Sequence, residues 1–211
     1  LGPARAFALK QLEPELRLEI RNAIADHRNR PPQPARGATV AILTADGFCL
    51  RELLDPCRAL RAAGARTLVV APRRQRIVPR GLLHADQAIR TDLALREADA
   101  VRFDALVLPG GAAAVDRLRA QPAALEFIRA FFAAGKPVAA LGQGLSLVLE
   151  TQRLAGRKLA CPTSLRQDAG HAAAEVVERA MVADGALLTG TGERRSVPAF
   201  SRRVVRHLQG Q

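Results

Sequence analysis

The chain has 211 residues, 48% hydrophobic and 25% charged, with a formal charge of +12; this is the make-up of an ordinary globular chain with one core and room for a small appendage. No apolar run approaches the roughly 18 residues that span a bilayer and no secretory leader is visible, so no membrane partner is expected. The positive charge is nearly all arginine, but Tyr and Trp are absent and no DNA-binding motif stands out, which leaves at most weak, salt-sensitive polyanion binding.

Leu12, Leu16, Ile20 and Ile24 recur every four residues and predict a helix with a narrow apolar stripe. The stretch 30–37, with Pro31, Pro32 and Pro34, predicts a stiff linker. Residues 1–37 therefore form a helical extension and linker, and 38–211 the main domain. From there the pattern alternates. Thr39–Leu43 is a buried strand, Leu50–Ala63 a helix ended by Gly64, and Thr67–Val70 a second strand. After a loop rich in Arg and Pro, Ala105–Leu108 is a third strand, running into Pro109-Gly110-Gly111. A helix-rich stretch closes at Gly135. Val138–Leu141 then meets Gly142-Gln143-Gly144, and a helical pattern starts at once: strand, sharp turn, helix. Further strands are expected near Lys158–Ala160, Glu175–Val177 and Ala186–Thr189, and a last helix over Val197–Leu208. This alternation predicts an α/β fold, a flavodoxin-like three-layer sandwich with a mostly parallel sheet. Such sheets bind ligands beyond the carboxyl ends of their strands, which marks loops 44–52, 109–114 and 141–145.

Those loops resemble the ThiJ/PfpI superfamily, which includes intracellular proteases, the parkinsonism-associated deglycase and heat-shock glyoxalases, on a fold like that of class I glutamine amidotransferases. The resemblance rests on Val40-Ala41-Ile42-Leu43-Thr44-Ala45-Asp46-Gly47-Phe48 with Glu52, on Phe103-Asp104-Ala105-Leu106-Val107-Leu108-Pro109-Gly110-Gly111, on Lys136–Ala140, and on Val182–Thr189 with Pro198-Ala199-Phe200. It runs in order over roughly residues 38–208. It implies a cysteine nucleophile on the turn, yet the frame here reads Ala140-Leu141-Gly142-Gln143-Gly144. Gly142 stands at the thiol position and Gln143 at that of a neighbouring histidine. Glu52 takes the place of the glutamate that hydrogen-bonds the family's cysteine. Cys49 stands at another acidic position, and Cys161, before Pro162, at that of a histidine of the deglycase branch. The arginine usual after a late Thr-Ser is replaced within Thr189-Gly190-Thr191-Gly192. Such turns hold their nucleophile at positive φ, at a cost on the order of 1–3 kcal/mol for cysteine; glycine takes it freely.

Each candidate has a plainer reading. Gly110 and Gly111 could offer an oxyanion hole or merely make a tight turn, and with no nucleophile the turn is preferred. Glu52 is a perturbed carboxylate if buried, or a simple backbone acceptor. Cys161 is a relocated nucleophile or, as preferred here, a small buried thiol. Asp168 and His171, read as loop residues, lack a third ligand, so no metal is expected, and no cofactor either. Ser146 is read as core or surface; His27, His84 and His207 show no partners. Three unrelated cysteines make no disulfide framework, consistent with a reducing, cytoplasmic setting.

The expected function is a ThiJ/PfpI-like domain without the nucleophile, non-hydrolytic, serving assembly, ligand binding or protein protection. The rivals are the terminal domain of a large-subunit catalase and an active relative using Cys161. Its ligand-binding set would be Glu52, Gly110, Gly111, Gly142 and Gln143, and its partner a second copy or a covalently linked domain. The N-terminal stripe, worth on the order of 1.5–3 kcal/mol per covered side chain, is the expected docking element. Leu16→Glu with Ile20→Glu should lower the mass in solution seen by light scattering; an unchanged mass and melting temperature would make the segment a free tail.

Overall fold

The computed structural model describes residues 37–81 and 88–210; the stripe of Leu12, Leu16, Ile20 and Ile24, with His27 and His84, lies outside them. The apolar runs form a seven-stranded sheet in the order β10-β11-β7-β6-β1-β2-β5. Its strands are β1 (Thr39–Leu43), β2 (Arg66–Ala71), β5 (Leu93–Ala94), β6 (Ala105–Leu108), β7 (Val138–Leu141), β10 (Met181–Asp184) and β11 (Leu187–Gly190). All neighbours pair in parallel except the β10–β11 hairpin. β1, β6 and β7 are buried on both faces, which is why they read as continuous apolar runs rather than alternating ones.

Helices cover both faces. On one, α1 (Leu50–Ala62) packs along α6 (Val197–Leu208). On the other, α2 (Ala112–Arg119), α3 (Pro122–Ala133) and the short α4 (Leu145–Leu149) pack together. Pro122 opens α3 at a position where its missing N–H is not needed. The fold is thus the mostly parallel three-layer sandwich that the sequence predicts. Four strands expected side by side, 40–43, 67–70, 105–108 and 138–141, are neighbours.

Three local readings change. The strands near 158 and 175 exist, but as a separate parallel ladder of β8 (Lys158–Leu159) and β9 (Glu175–Val176). Lys158 and Glu175 face each other there, 3.5 Å apart. The stretch that holds Asp168 and His171 is a helix, α5 (Arg166–His171), rather than a loop; Leu165 and Ala169, four apart, are buried and pin it. The loop rich in Arg and Pro contains a ribbon of β3 (Arg76–Ile77) and β4 (Ile89–Arg90). Side chains, not periodicity, hold it to the body. Gln75 N donates to the buried Thr91 hydroxyl at 2.8 Å, and Val69 N to Asp92 at 2.7 Å.

One packing cluster braces the sheet from below. Phe103, Phe127 and Phe131 meet edge to face, with centroids 5.2 and 5.9 Å apart along the chain of contacts. Lys136 seals it by donating to the carbonyls of Phe103 and Ala100, at 2.7 and 2.9 Å. Phe131 is fully buried, so Phe131→Ala should cost about 3–5 kcal/mol, read as a lower urea midpoint.

Candidate functional site

β1 pairs with β2 on one side and β6 on the other, so the chain winds outward in opposite directions from the β1–β6 pair. The crevice at such a reversal is where open α/β sheets place ligands. Three loops meet there: 44–49 after β1, 109–111 after β6, and the turn Gly142–Gly144 after β7. The first is held from two sides. Gly47 N donates to Val78 O and Arg80 N to Phe48 O, both at 2.8 Å, while Cys49 N donates to Gly110 O at 2.8 Å. Asp46 accepts from Val78 N at 2.9 Å. Phe48 is fully buried and anchors the loop.

Glu52 joins these loops. It lies in the first turn of α1, only 7% exposed. Its Oε2 accepts the Gly110 N–H at 2.8 Å. That bond uses the Gly110 donor, so Gly110 serves as part of a turn with its N–H already satisfied. A Cβ at Gly110 would lie 2.6 Å from the same oxygen, so only glycine lets the loop approach this closely. Burial pushes the Glu52 carboxyl up from its ordinary range; the Gly110 N–H, the Cys49 thiol and Arg80 act against it, in that order.

Gly142 sits at φ +55° on the turn, the conformation expected of an elbow residue and unfavourable for any side chain. A Cβ there would lie 3.1 and 3.2 Å from the two Glu52 oxygens. The carboxylate therefore faces the point where a side chain of residue 142 would begin. From the other side comes the loop after β11. A Cβ at Gly192 would be 2.7 Å from the Gly142 Cα and 3.2 Å from Glu52 Oε1. Two glycines thus touch backbone to backbone beside the acid. The Thr191 hydroxyl, next in sequence, is buried with no hydrogen-bond partner among the described residues. Gln143 is half-buried and its amide donates to Ser164 Oγ at 2.9 Å.

The structure gathers Glu52, Gly110, Gly142 and Gln143, with Gly111 starting α2. Cys161 lies in the hydrophobic core. Burial raises its thiol pKa, and Arg166 opposes this, so it lacks the electropositive, accessible setting of a reactive cysteine. The thiol beside Glu52 is instead Cys49, half-buried at the start of α1 and near enough for each group to shift the other's pKa. Burial first and the Glu52 charge second push that thiol's pKa up, so it too is protonated at neutral pH. The signal for it was in the sequence: a helix-starting residue and the one three positions on bring their side chains together. Among the described residues no group of three or more His, Cys, Asp or Glu is placed to hold a metal ion, and no helix is long and apolar enough to cross a membrane.

Comparison with known proteins agrees on family and fold. The profile of the DJ-1/PfpI family covers residues 38–207. Deglycase TK1284 of Thermococcus kodakarensis is 35% identical over 146 residues, 69% of this chain and 85% of the relative. General stress protein 18 of Bacillus subtilis is 30% identical over 173 residues, 82% of this chain and 99% of the relative. Among solved structures, a two-domain protein of Anabaena variabilis, containing DJ-1/ThiJ/PfpI-like and ferritin-like domains, superposes with a TM-score of 0.75 at 29% identity. The match covers 81% of this chain and 48% of that one, so this chain spans about half of the two-domain protein.

The raised Glu52 pKa has a sign that can be tested. The folded state keeps this proton to higher pH than the unfolded state, so the contribution is fully present in acid. It is lost as pH climbs from the ordinary carboxylate range through the raised folded value. Glu52→Gln keeps an acceptor for Gly110 but cannot titrate. The stability of the parent relative to this variant should therefore fall as pH rises above the ordinary carboxylate range, measured by urea denaturation; a difference that holds or grows would contradict a carboxyl pKa raised by burial.

Proposed function

Because the chain belongs to the DJ-1/PfpI family, we propose that it is a member that has kept the elbow and its acid but works without a nucleophile on the elbow, binding a ligand or partner rather than hydrolysing a substrate. The observation that carries this reading is the buried Glu52 carboxylate facing residue 142, where there is only glycine. A carboxylate so placed would normally hold a side-chain group on the elbow; here it holds the Gly110 backbone and closes the turn. The contact of Gly192 with Gly142 supports the same reading, since backbone fills the space beside the acid. Thr191 supplies a buried, unpartnered hydroxyl next to that contact, and unsatisfied groups of this kind mark places where a bound polar group settles.

Relatives named as deglycases and as a general stress protein support a role in protecting other molecules under stress. The two-domain relative supports attachment of residues 38–211 through the 1–37 segment to a further domain, and its partner is ferritin-like rather than a catalase core. Assembly with a second copy is the other arrangement this reading allows. The three free thiols fit a reducing cytoplasm.

The rival is an active relative with a displaced thiol. The buried setting of Cys161 weighs against it, and the protonated state of Cys49 does so as well. Turnover of methylglyoxal and of a peptide ester should stay at the uncatalysed background, with or without a thiol alkylator. Robust turnover that alkylation abolishes, and that Cys49→Ser or Cys161→Ser removes, would replace this reading with the displaced-nucleophile one.

A further inference from the structure

A cleft of about 690 Å3 opens beside the elbow, between α2, α4 and α5. This is within the size range of small-molecule sites. Its signs run against the rest of the molecule. The chain carries 32 Lys and Arg against 20 Asp and Glu, yet the charged groups lining the cleft are Asp116, Glu150 and Asp168 against Arg119, with His171. Arg119 is held in a close ion pair with Glu150. That leaves Asp116 on α2 and Asp168 on α5 as the acids with no ion-pair partner among the described residues, one from each of two facing helices.

A second observation points into the same space. Ser146 lines the cleft and is 7% exposed. Its hydroxyl makes no hydrogen bond among the described residues and is not one of the fully enclosed ones, so it is open to the cleft. Gln143 lies next to it; one N–H of its amide is committed to Ser164, and its carbonyl oxygen is available as an acceptor. The remaining lining includes Val115, Leu149 and Leu165. Two non-glycine residues with positive φ among the described residues, Gln152 at 58° and Ala173 at 54°, also line it.

We propose that this cleft binds a small aliphatic di- or polyamine. Each part of the lining answers a part of that ligand. Asp116 and Asp168 receive two ammonium groups, Ser146 and the Gln143 carbonyl accept the N–H donors that reach the floor, and the apolar side chains cover the methylene stem. An anionic ligand would meet two unpaired carboxylates, and a purely apolar one would bury the Ser146 hydroxyl without a partner. The cleft shares Gln143 with the Glu52 pocket, but its two acids and Ser146 are not part of that pocket, and the proposal does not depend on whether the elbow is inactive.

The test is calorimetric titration of the full chain with spermidine in buffer of about 0.15 M salt. Saturable uptake is expected, since a chain of this positive charge does not collect a polycation nonspecifically. Butylamine, with one ammonium group, should bind more weakly. Asp116→Asn with Asp168→Asn, both at exposed positions, should weaken spermidine roughly two- to fivefold per site. Ser146→Ala should weaken it about tenfold, with the melting temperature recorded to show that the variant folds; should it not fold, the exposed pair decides alone. No saturable uptake, or uptake equal in the parent and the Asp116/Asp168 double variant, would overturn the proposal.

Discussion

The hydrogen bond from Gly110 N–H to the buried Glu52 carboxylate is the contact on which the crevice depends. It ties the first turn of α1 to the loop after β6, and the same carboxyl group faces Gly142 after β7 and Gly192 after β11. Four segments from distant parts of the chain therefore converge on one acid. Burying a carboxylate is costly unless it is hydrogen-bonded or protonated, and here both reliefs operate: a backbone donor is present, and burial shifts the group toward its neutral form. The segments that close around it contribute uncharged backbone, and Arg80 is the weakest of the influences on its pKa.

Glycine makes the closure possible. At φ +55° residue 142 is in a conformation that costs a side chain on the order of 1–3 kcal/mol. A family that uses a thiol there accepts that cost for its chemistry. Glycine at 142 carries no such cost, and the loop carrying Gly192 touches it there. The Phe103, Phe127 and Phe131 cluster and the fully buried β1, β6 and β7 strands keep the turn in place from beneath.

The sheet was legible because its central strands, buried on both faces, must be continuous apolar runs, and because Gly64 and Gly135 end their helices plainly in the sequence. The turn was legible for a similar reason: Val138–Leu141 followed by Gly142-Gln143-Gly144 leaves little else to form. What escaped was set by side-chain pairing rather than periodicity. The β3–β4 ribbon hangs on Thr91 and Asp92, polar residues that look like loop in any window. α5 is six residues long and is held by Leu165 and Ala169, too few to make a pattern. Cys161 drew attention because the resemblance puts a functional histidine at its place. Cys49, the thiol that does lie beside Glu52, drew less, since its position was read as a missing acid rather than as one end of a helix-start pair. Ser146 was read as core or surface, and it is buried; only the three-dimensional arrangement shows that it also borders a cleft.

The charge of +12 and an acidic cleft on one chain are compatible because fields near a protein surface are local. At physiological salt, exposed charges are largely screened beyond about 8 Å. The arginine clusters at 73–76, 194–195 and 202–203 are not among the residues that line the cleft, so Asp116 and Asp168 set the sign there. Net charge then acts on encounter rather than on the site itself: it slows the approach of a cation and disfavours its loose accumulation over the surface. A cationic ligand retained by such a molecule is held by specific groups, and in this fold those groups come from α2 and α5, with Ser146 and Gln143 at the foot of the elbow. The Gly142–Gly144 turn is thus structurally necessary, because it begins the helix that carries Ser146.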